Sequence, residues 1–386
     1  MFKYSKKFWL ICWSMFFFMT SFNLIIPELN DFLTNLGGVG QKGLIITLFT
    51  ISSGIARPFS GKLADTVGRK KVMVIGMAVT VLVSLLYPLS YSVFFFLLLR
   101  FLHGFSAGFF PTGATALLTD ILPPEKRGKA MGIWGTFISL GIGAGQGLGS
   151  LISKEVGITN LFMIASGVAV FSGILIATIS DTLETKKKFQ PEFLKIGIKD
   201  VFEPSVMPAA IVMFLSASCS GIIFVLTPDM SKFLEIENKG WFFIFYVITT
   251  IFVRLFFSSV SDEIGRRKTL LIGMSFLTFS MVLIGYSHNL LTYTIASLVF
   301  GVATGISSPT IFAWTADLSH PERRGIGSGT MFIALEMGIM FGSITTLVTY
   351  DNTLSSIPYV FLIGVLMAIS AIIYLVWHLK YKTSNT

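Results

Sequence analysis

The chain has 386 residues, of which 53% are hydrophobic and only 13% charged, with a formal net charge of +9. Soluble globular chains carry about 25% charged residues, so the composition excludes an ordinary soluble domain, and its hydrophobicity excludes a disordered one. The basic excess admits a nucleic-acid partner only if it lies on a water-facing surface. The two cysteines, Cys12 and Cys219, sit in apolar runs and supply neither a disulfide framework nor a metal site.

A membrane-crossing helix needs about 20 mostly apolar residues. Runs of that kind fall at 8–33, 43–62, 72–90, 93–119, 130–152, 160–180, 206–230, 240–260, 269–287, 290–316, 328–349 and 357–379. These twelve spans leave no room for a soluble domain, and a β-barrel is excluded because its strands alternate instead of running apolar. The first run follows Lys3, Lys6 and Lys7 but continues past Phe18 without a small-residue cleavage site, so it reads as a span and not a leader. The longest polar connection, 181–204, divides the chain into a six-helix bundle over 1–180, a linker, and a second bundle over 205–386. The expected fold is an all-α integral membrane protein.

The basic residues are sorted by loop. Of 29 Lys and Arg, 22 lie at the two termini and in the alternate loops that follow spans 2, 4, 6, 8 and 10. Four lie in the opposite loops (Lys42, Lys154, Lys232, Lys239), and Arg57, Arg100 and Arg254 lie within spans. By the positive-inside rule both termini face the cytoplasm, which removes the nucleic-acid reading.

An internal repeat runs at a fixed offset of 197: Gly61–Lys71 matches Ser258–Lys268, Arg57 falls on Arg254, Gly104 on Gly301, Gly108 on Gly305 and Asp120 on Asp317. Pro124–Gly128 falls on Pro321–Gly325, and Gly132, Gly141 and Gly145 fall on Gly329, Gly338 and Gly342. Two six-helix units in parallel orientation are expected. Repeats of this kind place substrate sites at their interface and work by rocking.

These residues resemble a known family, the major facilitator superfamily, over nearly the whole chain. Gly61, Asp65, Gly68 and Arg69 to Lys71 are similar to its motif A, and the second copy keeps Asp262, Gly265 and Arg266. Arg100, Gly104 and Gly108 resemble motif B. Gly132, Gly141, Gly145 and Gly149 have the spacing of motif C, the signature of the twelve-helix drug:proton antiporter branch, although Gln146 stands where that motif has proline. The resemblance implies a cytoplasmic latch in which Asp65 meets the start of helix 11, Asp262 meets helix 5, Arg69 pairs with Asp120 and Arg266 with Asp317. The alternative for the same residues is a topological role alone.

Several intramembrane positions carry chemistry. Arg100 lies roughly 10 Å deep at 1.5 Å per residue, where a charge faces a cavity or a partner, and His103 follows it on the same helix face. Arg57 and Arg254 are expected to snorkel. Glu336 stands near mid-bilayer, where burial raises a carboxyl pKa and allows proton exchange near neutral pH; a permanently protonated, hydrogen-bonded Glu336 is the other reading. Asn23 stands four residues before Pro27, where some drug antiporters have an acid. Gln146 is either a substrate contact or interhelical glue. Glu28 and Asp31 are expected to be solvated at the outer mouth of helix 1. The glycines of helix 5 suit a close crossing between the halves.

The expected function is a secondary active transporter, with proton-coupled efflux of small amphipathic or lipophilic molecules first and proton-coupled uptake of an organic anion as the alternative. The scarcity of Asn and Gln argues against a sugar site. Four scattered histidines supply no enzyme centre, no nucleotide fingerprint is present, and no cofactor or metal is expected. The expected partners are a small-molecule substrate, protons and the lipid bilayer, around a monomer in the cell membrane.

Overall fold

A computed structural model of the chain describes residues 4–122, 127–183, 186–197, 201–257, 260–319 and 324–382. The Pro124–Lys126 segment, its repeat counterpart Pro321–Arg323, and His320 lie outside the described residues. All regular structure among the described residues is helical. The long helices are α1 (Lys6–Asn35), α2 (Lys42–Thr66), α3 (Arg69–Leu86), α4 (Val93–Asp120), α5 (Arg127–Val156), α6 (Ile158–Ala177), α7 (Met207–Phe233), α8 (Trp241–Phe256), α9 (Arg266–Gly285), α10 (Leu290–Leu318), α11 (Arg324–Thr349) and α12 (Ile357–Lys382), with one further turn at Val260–Glu263.

Ten of these helices, among the described residues, are long and apolar enough to cross a membrane. The two outside that set are α8, which is apolar but has 16 residues, and α5, whose glycines and Gln146 lower its hydropathy. Helix starts follow local chemistry. Ser5, Ser92 and Asn289 accept hydrogen bonds from the amides of Phe8, Phe95 and Thr292, satisfying donors that a first turn leaves open. Gly68 (φ +135°) and Gly265 (φ +91°) take backbone conformations that side chains resist, and each opens the helix after a tight turn.

The chain divides into two compact units, one of Met1–Gly37 with Leu48–Asp200, the other of Gly38–Thr47 with Val201–Thr386. In the first, α1 packs on α5 and α6, and α3 packs on α4 and α6. Its core joins Phe8, Ile11, Met15 and Phe18 of α1 to Phe110 and Leu117 of α4. Phe18 and Phe110 stack with ring centroids 4.0 Å apart. The connection after α6 folds back on the same unit: Lys70 Nζ donates to the carbonyls of Ala177 and Ile179 at 2.7 and 2.8 Å, and Phe193 packs against Ala56, Leu63 and Val72.

Gly141, Gly145 and Gly149 bring α5 against the backbone of α1 at Phe16, Thr20 and Leu24, where a Cβ atom would collide. Their partner is therefore a helix of their own unit, which corrects the expected crossing between halves. Gly132 does not belong to this ladder, because a Cβ there would meet open space. Gly104 and Gly108 likewise admit the α2 backbone around Phe49 and Ser53.

In the second unit α7 packs on α11 and α12, α9 on α10 and α12, and α10 on α8. Gly338 and Gly342 meet the carbonyls of Phe214 and Ser218, and Gly301 meets that of Tyr246. The order of helix partners and the glycine contacts follow those of the first unit. Large apolar side chains such as Phe94, Leu291 and Ile373 stand exposed on the helices, as helix surfaces against hydrocarbon require.

Candidate functional site

In the first unit, α4 buries Arg100 and His103 completely, leaving 1% and 0% of their surfaces exposed. Tyr87, at the end of α3, joins them: Arg100 Nη1 donates to the Tyr87 hydroxyl at 3.3 Å, and that hydroxyl lies 3.1 Å from His103 Nδ1. The guanidinium also sits 4.7 Å from the centroid of the Phe49 ring, a cation–π distance. A charge inside apolar helices needs such partners, because a bare guanidinium at this depth costs several kcal/mol, on the order of 3 or more.

Asn23 and Gln146 meet between α1 and α5, where Gln146 Nε2 donates to Asn23 Oδ1 at 2.9 Å and Asn23 Nδ2 donates to the Met19 carbonyl at 2.8 Å. Their link holds two helices together. One turn further on, Glu28 is buried and accepts a 2.8 Å hydrogen bond from Ser150 Oγ, so the expectation of a solvated Glu28 is corrected. Close α1–α5 packing removes it from water; Asp31 stays half-buried.

At the turn between α2 and α3, Arg69 holds two carboxylates at once. Its Nη1 lies 2.6 Å from Asp65 and its Nε 3.3 Å from Asp120. The second unit repeats the arrangement, with Arg266 Nε 2.9 Å from Asp317 and Nη1 on Asp262. Gly61 lies in open space one turn before Asp65, and Gly68 faces the Asp181 carboxylate. Arg57 and Arg254 are half-buried.

Glu336 is buried at the middle of α11, with 8% of its surface exposed. The same unit holds a buried cluster that the sequence reading did not single out. Lys42, at the start of α2, lies 2.6 Å from Asp229 of α7, and the Tyr350 hydroxyl donates to the same Asp229 oxygen at 2.7 Å. Thr47 and Ser343 share a 2.7 Å hydrogen bond one turn along. Tyr87 was missed for a related reason: it sits at a helix end among abundant aromatics. The signal for Asp229 was present, since Pro228-Asp229 lies inside the last two turns of α7 as Pro27-Glu28 lies inside the last part of α1.

Long apolar helices in two units, with a few buried ionisable side chains, define a multi-pass membrane protein. Residues 11–237 and 209–385 both match the Major Facilitator Superfamily, so this chain belongs to that superfamily and is a transporter, not an enzyme. It is similar to the Quinolone resistance protein NorA of Staphylococcus aureus, with 23% identity over 377 residues, covering 94% of this chain and 95% of that one. It is also similar to Multidrug resistance protein 2 of Bacillus subtilis, with 26% identity over 374 residues and coverage of 92% and 91%. Among solved structures, the human organic anion transporter MFSD10 shares the fold at a TM-score of 0.76 and 17% identity, covering 96% of this chain and 100% of that one. The nucleoside transporter NupG does so at 0.78 and 12%, with coverage of 96% and 99%.

Proposed function

We propose that the chain is a proton-coupled exporter of small amphipathic or lipophilic molecules. It spans the cell membrane twelve times as two six-helix repeats, has both termini in the cytoplasm, and works as a monomer by alternating access. The observation that carries the proton coupling is Glu336, a carboxylate buried at the middle of a membrane-length apolar helix. An ionisable side chain inside a membrane-spanning helix is costly to keep there and marks an ion or proton pathway, which is what coupling to a gradient needs. Export is supported by relatives named for quinolone and multidrug resistance, and by a chain rich in adaptable Phe and Met. Motif A and its repeat act as latches: Arg69 and Arg266 each gather two carboxylates that separate when the latch opens.

Everted membrane vesicles with an acidified lumen, so that protons run outward, should accumulate a fluorescent substrate such as ethidium, and right-side-out vesicles given an inward proton gradient should not. The reverse pattern would overturn export. Glu336→Gln should stop gradient-driven accumulation while leaving substrate binding; unchanged pH coupling would remove Glu336 from the mechanism.

A second reading, uptake of a small organic anion with protons, is favoured by the buried guanidinium of Arg100. Loss of anion transport alone in Arg100→Ala would select it.

A further inference from the structure

The hydrogen bonds around Tyr87 fix more than contact. An arginine only donates, so the Tyr87 oxygen accepts from Arg100 Nη1. The Tyr87 proton then has one place to go among the described residues, the ring nitrogen Nδ1 of His103 at 3.1 Å. Were the imidazole to donate through Nδ1 instead, both the Tyr87 proton and His103 Nε2 would be stranded in a fully buried site. Each stranded group costs about 1–3 kcal/mol, so the arrangement that strands fewer wins. His103 is therefore the tautomer with its proton on Nε2. That nitrogen is fully buried and has no acceptor among the described residues. Two aromatic rings lie beside the imidazole, Phe22 and Phe49, with centroids 6.4 and 5.9 Å away and near-perpendicular planes.

We propose that Tyr87 is a positioning residue that orients His103 so that its Nε2–H, beside Phe22 and Phe49, serves as a donor for a hydrogen-bond acceptor carried on an apolar aromatic ring. Tyr87 Oη and His103 Nδ1 each already accept a hydrogen bond within the trio, while the His103 Nε2–H is left to donate. An aromatic carboxylate, which only accepts, satisfies that donor; an aromatic ammonium, which only donates, does not. This inference rests on reading Arg100 as a substrate contact.

The test uses the full-length protein in nanodiscs with 15N-labelled histidine, the His103 signals being assigned from their absence in His103→Gln. Wild type should show a protonated Nε2 and an unprotonated Nδ1; the opposite tautomer overturns the proposal. Tyr87→Phe should shift or broaden the Nδ1 signal, and an unchanged spectrum overturns the positioning role. Titration with 1-naphthoate should move the Nε2 signal of wild type, and roughly tenfold more should be needed in Tyr87→Phe, about the ratio for one misoriented hydrogen bond. No shift with naphthoate, or an equal shift with 1-naphthylmethylammonium, overturns the acceptor preference. Vesicle transport is read separately: an exporter that fails that assay leaves the tautomer result standing, and a wrong tautomer leaves export untouched.

Discussion

The ammonium group of Lys42 lies 2.6 Å from the carboxylate of Asp229, a residue 187 positions away in the sequence. Both side chains are nearly buried, at 11% and 5% exposure, and Tyr350 donates to the same carboxylate oxygen. The ring of Tyr350 also lies 5.6 Å from the Lys42 ammonium. The start of α2 is thereby tied to α7 and to the end of α11 inside the second unit.

Breaking one side of such a pair leaves the other charge buried, which costs about 3–5 kcal/mol, whereas removing both charges together costs far less. Lys42→Met should therefore lower the thermal unfolding midpoint of the detergent-solubilised protein clearly. The double variant Lys42→Met with Asp229→Asn should recover most of the loss. Equal destabilisation by the single and double variants would mean that the pair contributes through packing alone.

Tyr350 follows the last residue of α11, and burial, reinforced by the Asp229 carboxylate, pushes its hydroxyl pKa above the ordinary value. An unfolded tyrosine ionises near pH 10 or so. Above that pH the unfolded chain loses this proton while the folded one keeps it, so stability falls as pH rises. Below it both states are protonated and the contribution is complete. Absorbance at the tyrosinate band should show no Tyr350 ionisation before unfolding, and Tyr350→Phe should flatten the alkaline loss of stability. A Tyr350 signal titrating with the exposed tyrosines would contradict this.

Helix positions were legible because an apolar run of membrane length is hard to write any other way. The burial of Arg100 and Glu336 followed from their places within those runs. Side-chain partners were not legible where they depend on which helices pack. Asn23 and Gln146 were both singled out, but nothing in the sequence joins residues of α1 and α5 until Gly141, Gly145 and Gly149 bring the two backbones together. Tyr87 is one of 10 tyrosines among 38 phenylalanines, with no periodicity to mark it. Motif A was readable for a different reason, since its charges and glycine lie within a few residues of one turn.

At that turn, Arg69 uses two different nitrogens for Asp65 and Asp120, while Asp65 is 71% exposed. Exposed ion pairs contribute about 0–1 kcal/mol, so Arg69→Lys should leave the unfolding midpoint almost unchanged. Lysine offers one compact charge instead of a planar fork and cannot hold both carboxylates in this geometry. Transport should then fall by up to about fivefold, the ratio that about 1 kcal/mol of lost pairing energy gives. Arg266→Lys should act in the same way at Asp262 and Asp317. A large drop in stability with normal transport by the surviving protein would assign these arginines a structural role only.

The glycines of α5 give a sharper contrast, because the same substitution meets opposite surroundings. At Gly145 an added Cβ would lie 2.7 Å from the Thr20 carbonyl and from the Asn23 Cβ, both on α1. At Gly149 it would strike the Leu24 carbonyl. Backbone cannot swing aside as a flexible side chain can, so α1 and α5 must separate, and overpacking of this kind costs about 1–3 kcal/mol. Separation would also stretch the Gln146–Asn23 hydrogen bond, which is already 2.9 Å long. Gly132 meets open space, and alanine there gains up to about 1 kcal/mol of helix propensity. Thermal unfolding of the three alanine variants should therefore rank Gly132→Ala at or above wild type, with Gly145→Ala and Gly149→Ala well below it. If Gly132→Ala proved as damaging as Gly149→Ala, the α1–α5 contact would not be what these glycines serve.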